Sequence, residues 1–194
     1  MDALPVRTMT ANEEGPAIEI MVLAFAADPV MRWAWPHIHQ YMAAMPRFVR
    51  ALGGGAFAHG AAYCTNDYTG AALCLPPGVG PDEDRLDELM ASTASRAARE
   101  AGAAIFHQAH YPHPGEPHWY LPLRGVDPAY QGRGHGDAPM AYALERCDGD
   151  KLPTYLESTN ARNIALYRRH GFEPLRTIQA GSSPPLVPML RRPR

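Results

Sequence analysis

Long apolar runs are missing from this sequence. No stretch of 18 apolar residues occurs, so no segment has the length and character of a membrane-spanning helix. No N-terminal pattern of a signal peptide is seen either, and a cytoplasmic location is the expectation. Charge of one sign is not in excess. Eighteen Lys and Arg stand against 20 Asp and Glu, a formal net charge of -2, with no basic stripe and hence no case for nucleic acid. Arg191-Arg192 and Arg194 read as a solvated basic end. Cysteine is scarce. Cys64, Cys74 and Cys147 have no metal-binding spacing, and their odd number argues against a disulfide framework. Cys64 and Cys74 are expected to face each other across a hairpin, as thiols of a reducing compartment. There is no Gly-Lys-Ser/Thr, which excludes a P-loop. There is also no G-x-G-x-x-G inside a doubly wound repeat, which excludes the Rossmann fingerprint. No internal repeat or low-complexity linker divides the chain. One domain over 1–194 is expected, long enough to bury a sizeable core. Hydrophobic content of 46% and charged content of 20% are ordinary for a folded globular protein.

What is present centres on residues 118–136, HWYLPLRGVDPAYQGRGHG. Trp119, Tyr120, Leu121, Leu123 and Val126 give strand character. Asp127-Pro128 ends the strand, because proline lacks an N–H and restricts the residue before it. Gly132, Gly134 and Gly136 then alternate with Gln131, Arg133 and His135. Glycine allows close approach of the backbone and bares its N–H groups. A helix over 137–149 follows, with Met140, Ala141, Leu144 and Cys147 on one face and Pro139 in its first turn. Strand, glycine loop and helix N-terminus together suit an anion, most naturally a pyrophosphate, with Arg133 adding a charge.

The rest alternates helix and strand. Val6–Met9 reads as a first strand. Thr10-Ala11-Asn12-Glu13 has capping-box spacing, and Ile18, Met21, Val22 and Phe25 recur at helical period, predicting a helix over 12–27 that Asp28-Pro29 breaks. Residues 29–40 are an aromatic loop or short helix. Tyr41, Met42, Met45, Phe48, Val49 and Leu52 predict another helix, kinked or split by Pro46 and ended by Gly53-Gly54-Gly55. Strands are expected over 56–64 and 70–75, a helix from Asp82 to about Glu100, and further helix over 103–110. His107, His110, His113 and His118 invite a metal reading. However, Pro112, Pro114 and Pro117 break any helix there and no carboxylate or thiol completes a set, so no metal is expected and a loop is. A strand over 154–158, a helix from about Asn160 to His170 closed by Gly171, and two final strands at 173–179 and 185–191 complete the chain. The alternation gives an α/β layered fold.

The second informative stretch is YLESTNARNIALYRRHGF, residues 155–172. Gln131 to Gly136 after a strand, followed by Asn160, Asn163, Leu166-Tyr167 and Gly171-Phe172 at this separation, resemble the GNAT superfamily of acetyl-CoA-dependent N-acetyltransferases. EPHWYLPLRGVDPAYQGRGHG and LPTYLESTNARNIALYRRHGFEP are similar to the branch that includes puromycin N-acetyltransferase, as are VLAFAADPVMRW and AALCLPPG. The resemblance implies a mixed, twisted central sheet of about six to seven strands. In it the strands near 118–126 and 154–158 run parallel and splay apart to admit the pantetheine arm.

It also implies acetyl-CoA as co-substrate and acetyl transfer to an amine by direct attack in a ternary complex, which needs no acyl-enzyme cysteine. That chemistry requires a neutral amine, a stabilised oxyanion, a protonated leaving thiolate and alignment. The Val126 N–H is the candidate for polarising the thioester, and the amides of residues 131–136 for holding the pyrophosphate. Asn160 and Asn163 either contact pantetheine or cap their helix. Tyr167 stands at the family's general-acid position, and a phenol is protonated at neutral pH. For the base, Glu157 ranks first, then His118, then Tyr120. Tyr120 falls where some relatives carry glutamate, and Glu157 could instead pair with Arg162 or Arg168. Trp33, Trp35 and His37 lie where the family forms its acceptor pocket, and either line it or cover the core. The expected acceptor is a small-molecule amine, with an antibiotic or xenobiotic in view. The alternatives are a protein or peptide amine, or a non-catalytic acyl-CoA sensor. A monomer or homodimer is expected, with no membrane partner.

Overall fold

The structure, a computed structural model, describes residues 4–110 and 113–194, apart from the side chains of residues 106, 107, 109 and 110. It opens with β1 (Val6–Thr8), a 3-10 turn at Ala11–Glu13 and α1 (Glu14–Ala24). The Glu13 carboxylate reaches back to accept the Thr10 N–H at 2.9 Å, as the capping-box spacing requires. α2 (Pro29–Ala34) is capped by Asp28, which accepts from the amides of Val30 and Met31. α3 (Ile38–Gly53) runs through Pro46 unbroken. The carbonyl that Pro46 leaves without a helical partner belongs to Met42, on an exposed turn where solvent can reach it.

α4 (Gly55–Ala58) precedes β2 (Ala62–Thr65), so the strand expected over 56–64 begins as a helical turn. A short apolar run packs equally well in either form. β3 (Gly70–Leu75) has its expected bounds. α5 (Glu83–Thr93) and α6 (Arg96–His110) break at Ala94-Ser95, earlier than expected. There the Ser95 N–H donates to Ala34 O at 2.7 Å and its hydroxyl accepts the Ala98 N–H, capping α6. β4 (Trp119–Val126), a 3-10 turn at Pro128–Tyr130, α7 (Asp137–Gly149) and β5 (Thr154–Ser158) follow. The chain closes with a 3-10 turn at Ala161–Asn163, α8 (Ile164–Arg169), β6 (Glu173–Pro174) and β7 (Val187–Arg191). The last two strands are shorter than expected; they pair at Glu173↔Leu190 and Pro174↔Met189, with an isolated bridge between Ile178 and Leu186 in the segment that connects them.

The sheet order is β1-β2-β3-β4-β5-β7-β6. Every pairing is antiparallel except β4 with β5. One face packs Trp35, Tyr41, Met45, Leu73 and Leu123 with α1 and α3. The other packs Trp119, Leu121, Met140, Leu144, Tyr167 and Phe172 with α7 and α8. Cys64 lies on the first face and Cys74 on the second, and Cys64 stands opposite Ala71, so the two thiols do not face each other. The parity of a strand decides this: residues 64 and 74 fall on opposite sides once the hairpin register is set. Nor is Arg191 a solvated end. It is buried in β7 and grips Asp148 of α7 with two bonds of 2.7 Å.

Candidate active site at the parting of two strands

β4 and β5 are paired only at Trp119↔Thr154 and Tyr120↔Tyr155. Beyond, they part. The cause is a bulge in β4. Leu123 stands opposite Leu73 but Tyr120 opposite Leu75, so β4 spends three steps where β3 spends two. Pro122 lies inside the bulge, where a missing N–H breaks no regular ladder. The extra residue switches faces. Trp119 and Leu121 point to the α7 side, whereas Leu123 points to the opposite one. Gly125 lies so close to α1 that a Cβ there would sit 2.8 Å from Met21 Sδ and 2.9 Å from Ala24 Cβ. The Asp127 N–H donates to Thr69 O at 2.8 Å, which makes Gly70 and Val126 a non-hydrogen-bonded pair. The Val126 N–H therefore turns away from β3, towards the opening beside β5.

The glycine loop sits at the mouth of this opening. Gly132 and Gly134 have φ of +73° and +88°, a region that suits glycine. The amides of Asp137 and Ala138 are taken by Gly134 O. Among the described residues, the N–H groups of residues 132–136 donate to no protein acceptor. They stand at the N-terminus of a 13-residue helix. Bare amides and the helix dipole favour an anion at this end. Gln131 and Arg133 are exposed beside them. The His135 ring faces inward instead, with Nδ1 on the Thr69 hydroxyl and the ring 5.0 Å from that of Tyr130. Its backbone, not its side chain, is presented to the loop's concavity.

Under the loop lies Arg124, a charge in an otherwise apolar strand whose importance sequence reasoning missed. A Cβ on Gly136 would come within 2.7 Å of its Nη1. Its guanidinium lies 5.5 Å over the ring of Tyr167. Its Nε is buried without a partner among the described residues. Tyr167 itself is mostly buried, and its hydroxyl makes no hydrogen bond among the described residues. α8 ends in a Schellman motif: Phe172 N donates to Tyr167 O at 3.0 Å and Gly171 N to Arg168 O at 2.9 Å, with Gly171 at φ +89°. The rings of Tyr167 and Phe172 meet edge-on at 5.9 Å, which fixes the tyrosine on its short helix. Asn160 acts as a cap, accepting the Arg162 N–H at 3.1 Å, so its side-chain oxygen is engaged. The Asn163 side chain makes no capping bond.

On the other side of the parting lies an acid–aromatic cluster. Tyr120 donates to Glu157 Oε2 at 2.8 Å. The His113 Nε2 lies 3.4 Å from Glu157 Oε1, and His113 Nδ1 lies 3.1 Å from His118 Nε2. The His113 ring packs on Tyr155 at 4.0 Å and Tyr120 at 5.2 Å. Glu157 thus partners Tyr120 and His113, not Arg162 or Arg168. Burial, and secondarily the Glu157 charge, push the Tyr120 hydroxyl well above its ordinary range. A phenol held protonated in this way is a donor, which removes Tyr120 from the candidate bases. His113 was read only as one of four histidines. The signal that could have singled it out was its place five residues before His118, across the proline-rich bend. The side chains of His107 and His110 lie outside the described residues, and among those described no three His, Cys, Asp or Glu converge as a metal site.

The aromatic segment divides. Trp35 is fully buried, its indole N–H on Thr93 Oγ1 at 3.0 Å and its ring edge-on to Phe48, so it covers the core and does not line a pocket. Trp33 is half-buried and donates to Ser182 Oγ at 3.2 Å. His37 is exposed at the start of α3, stacked on His39 at 5.8 Å.

This arrangement has known counterparts. Residues 83–172 match the family model described as Acetyltransferase (GNAT) family. A solved structure from Corynebacterium glutamicum, described as a histone acetyltransferase and related acetyltransferase, is 25% identical with TM-score 0.70, over 100% of this chain and 98% of that one. An uncharacterised N-acetyltransferase of Schizosaccharomyces pombe is 33% identical over 78 residues, 39% of this chain and 32% of that protein. The mycothiol acetyltransferase of Beutenbergia cavernae is 48% identical over 54 residues, 26% of this chain and 18% of that protein. The chain thus spans a third or less of the length of these two curated relatives. The parted parallel strands, the glycine loop and the match to the GNAT acetyltransferase family model all fall on the same segment, residues 83–172.

Proposed function

We propose that this protein transfers acetyl from acetyl-CoA to the amine of a small molecule, by direct attack with both substrates bound. The observation that carries the reading is the opening between β4 and β5, with unpartnered amides at its mouth and Glu157 and Tyr167 on opposite sides of the sheet. Loop amides 132–136 suit the pyrophosphate. The Val126 N–H, turned into the opening, suits the thioester oxygen, where a preorganised donor stabilises developing charge. Tyr167 has a hydroxyl free to protonate the leaving thiolate. Glu157 is the group nearest to hand for the ammonium proton. Buried Cys64, Cys74 and Cys147 stand apart from these groups and take no part.

The acceptor side favours a small amine carrying an aromatic or apolar body, since the rings of Tyr120, Tyr155 and His113 cluster beside the Glu157 carboxylate. The test is thiol release from acetyl-CoA with puromycin, polyamines, aminoglycosides and short peptides, beside calorimetric binding of acetyl-CoA. Release with a small amine that collapses in Tyr167→Phe, binding unchanged, supports the reading. Release with peptides alone moves the assignment to a peptide acceptor. No binding of acetyl-CoA overturns it.

A further inference from the structure

We infer that Thr69 and His135 form a staple that closes the glycine loop and holds its amides in the shape that binds a pyrophosphate, so that both side chains are positioning residues. The inference rests on the acetyl-CoA reading for its ligand and on hydrogen-bond direction for its substance. Thr69 lies in the turn between β2 and β3, outside the glycine loop. Its carbonyl oxygen accepts the Asp127 N–H at 2.8 Å, just past the end of β4. Its hydroxyl meets His135 Nδ1, just before α7 begins. One residue therefore ties both ends of the segment from 127 to 135. The direction of the second tie follows from a third partner. The Thr69 hydroxyl oxygen lies 2.7 Å from Asp67 Oδ1. A carboxylate only accepts, so the single hydroxyl hydrogen points there. The Thr69 oxygen is then an acceptor towards His135, and the imidazole Nδ1 carries the hydrogen. Asp67 Oδ2, 3.9 Å from Nδ1, favours the same arrangement by its charge.

The turn that carries the staple is itself held on several sides. Thr65 Oγ1 accepts the N–H groups of Thr69 and Gly70 at 3.0 and 3.1 Å. The Tyr68 hydroxyl donates to Glu13 and accepts from Arg7 Nη2 at 2.7 Å, which ties the turn to β1 and to the 3-10 turn after it. A Cβ at Gly70 would stand 2.8 Å from the His135 carbonyl carbon, so the backbone of His135 is seated on the same hairpin as its ring. The ring is mostly buried and packs on Tyr130 at 5.0 Å. Between the two ties, Gly132 and Gly134 sit at positive φ and give the loop wide conformational freedom when it is not held. Fixing the ends of such a loop removes states in which its amides diverge. An anion then meets donors that are already aligned, and binding does not have to order them.

Calorimetric titration of acetyl-CoA reads the staple. Thr69→Val should raise Kd about 3- to 10-fold, the loss of one hydrogen bond. Thr69→Ser, which keeps the hydroxyl, and His135→Asn, whose amide nitrogen stands where Nδ1 stood, should stay within about twofold of wild type. Thr69→Val combined with His135→Leu should bind no more weakly than the poorer single variant, because both break the same contact. Unchanged affinity in Thr69→Val, or losses that multiply in the double variant, overturns the staple. The choice of donor separates a local effect from a general loss of packing. With S-acetylpantetheine, which carries the thioester without the pyrophosphate, Thr69→Val should match wild type in kcat/KM for thiol release. An equal loss with both donors overturns the role. Nitrogen-15 histidine spectra should show neutral His135 as the Nδ1–H tautomer in wild type, and a neutral Nε2–H tautomer overturns the staple whether or not acetyl-CoA binds. Acetyl-CoA that binds and is used on no amine counts against acetyl transfer, while the affinities still decide the staple.

Discussion

Replacing Gly70 by alanine isolates how the glycine loop is held. Gly70 lies on β3, outside the glycine loop, and its backbone touches that of His135. A Cβ at residue 70 would overlap the His135 carbonyl oxygen and stand 2.8 Å from its carbon. Carbon atoms in contact prefer roughly 3.5–4.0 Å, so the loop or β3 must move by about 1 Å. Neither neighbour is a flexible side chain that can swing aside. Overpacking of this kind costs about 1–3 kcal/mol. For a domain of this size that lowers Tm by about 2–10 °C. If the strain falls on the loop in its binding shape, the Kd for acetyl-CoA rises about 5- to 150-fold. Calorimetric titration of acetyl-CoA and a thermal scan read both quantities. Gly80→Ala is the control, since nothing lies within 4 Å of a Cβ there and neither quantity should change. An unchanged Kd in Gly70→Ala would refute the placement of the anion on amides 132–136, or the dependence of their shape on β3.

Tyr167→Phe should lower kcat about 100-fold or more with acetyl-CoA affinity within twofold, measured by thiol release and calorimetry; unchanged turnover removes Tyr167 as the acid. All three thiols are buried, and burial pushes Cys147 up to about 11, so a thiol reagent at neutral pH should label none of them in the folded protein and all three in denaturant. Rapid native labelling of any one would contradict the packing. Arg191→Ala strands Asp148, whose carboxyl the guanidinium holds below its usual range, and should cost about 2–3 kcal/mol in denaturant unfolding, discounted because Asp148 is partly exposed. Burial raises the hydroxyls of Tyr41, Tyr120 and Tyr155. Their folded values exceed the unfolded one of about 10, so their contribution is complete below that pH and is lost as pH rises through the folded values. Urea midpoints should therefore fall on going from pH 9 to pH 11, and less steeply in Tyr120→Phe.

The positions of helices and strands were readable wherever local chemistry decided them. The capping box at Thr10 and Glu13, the bounds of 137–149 and the glycine stop at Gly171 depend on neighbours within one or two turns, which the sequence carries directly. The glycine loop was legible for the same reason: three alternating glycines after a strand are a local backbone statement. The break between α5 and α6 was not, because Ser95 is held by Ala34 and Trp33, some 60 residues away.

The sequence by itself thus determined the order of elements, the glycine loop, and the candidates Tyr167 and Glu157. Tertiary structure alone decided what each candidate faces. The bulge at Pro122 reverses the two faces of β4, and no local pattern places that extra residue against a partner strand. Packing between distant segments likewise sends Trp35 into the core, turns the His135 ring inward onto Thr69, sets Arg124 under the loop and brings His113, from a proline-rich bend, onto Glu157. Side-chain direction in a sheet depends on register, and register is a property of two strands together.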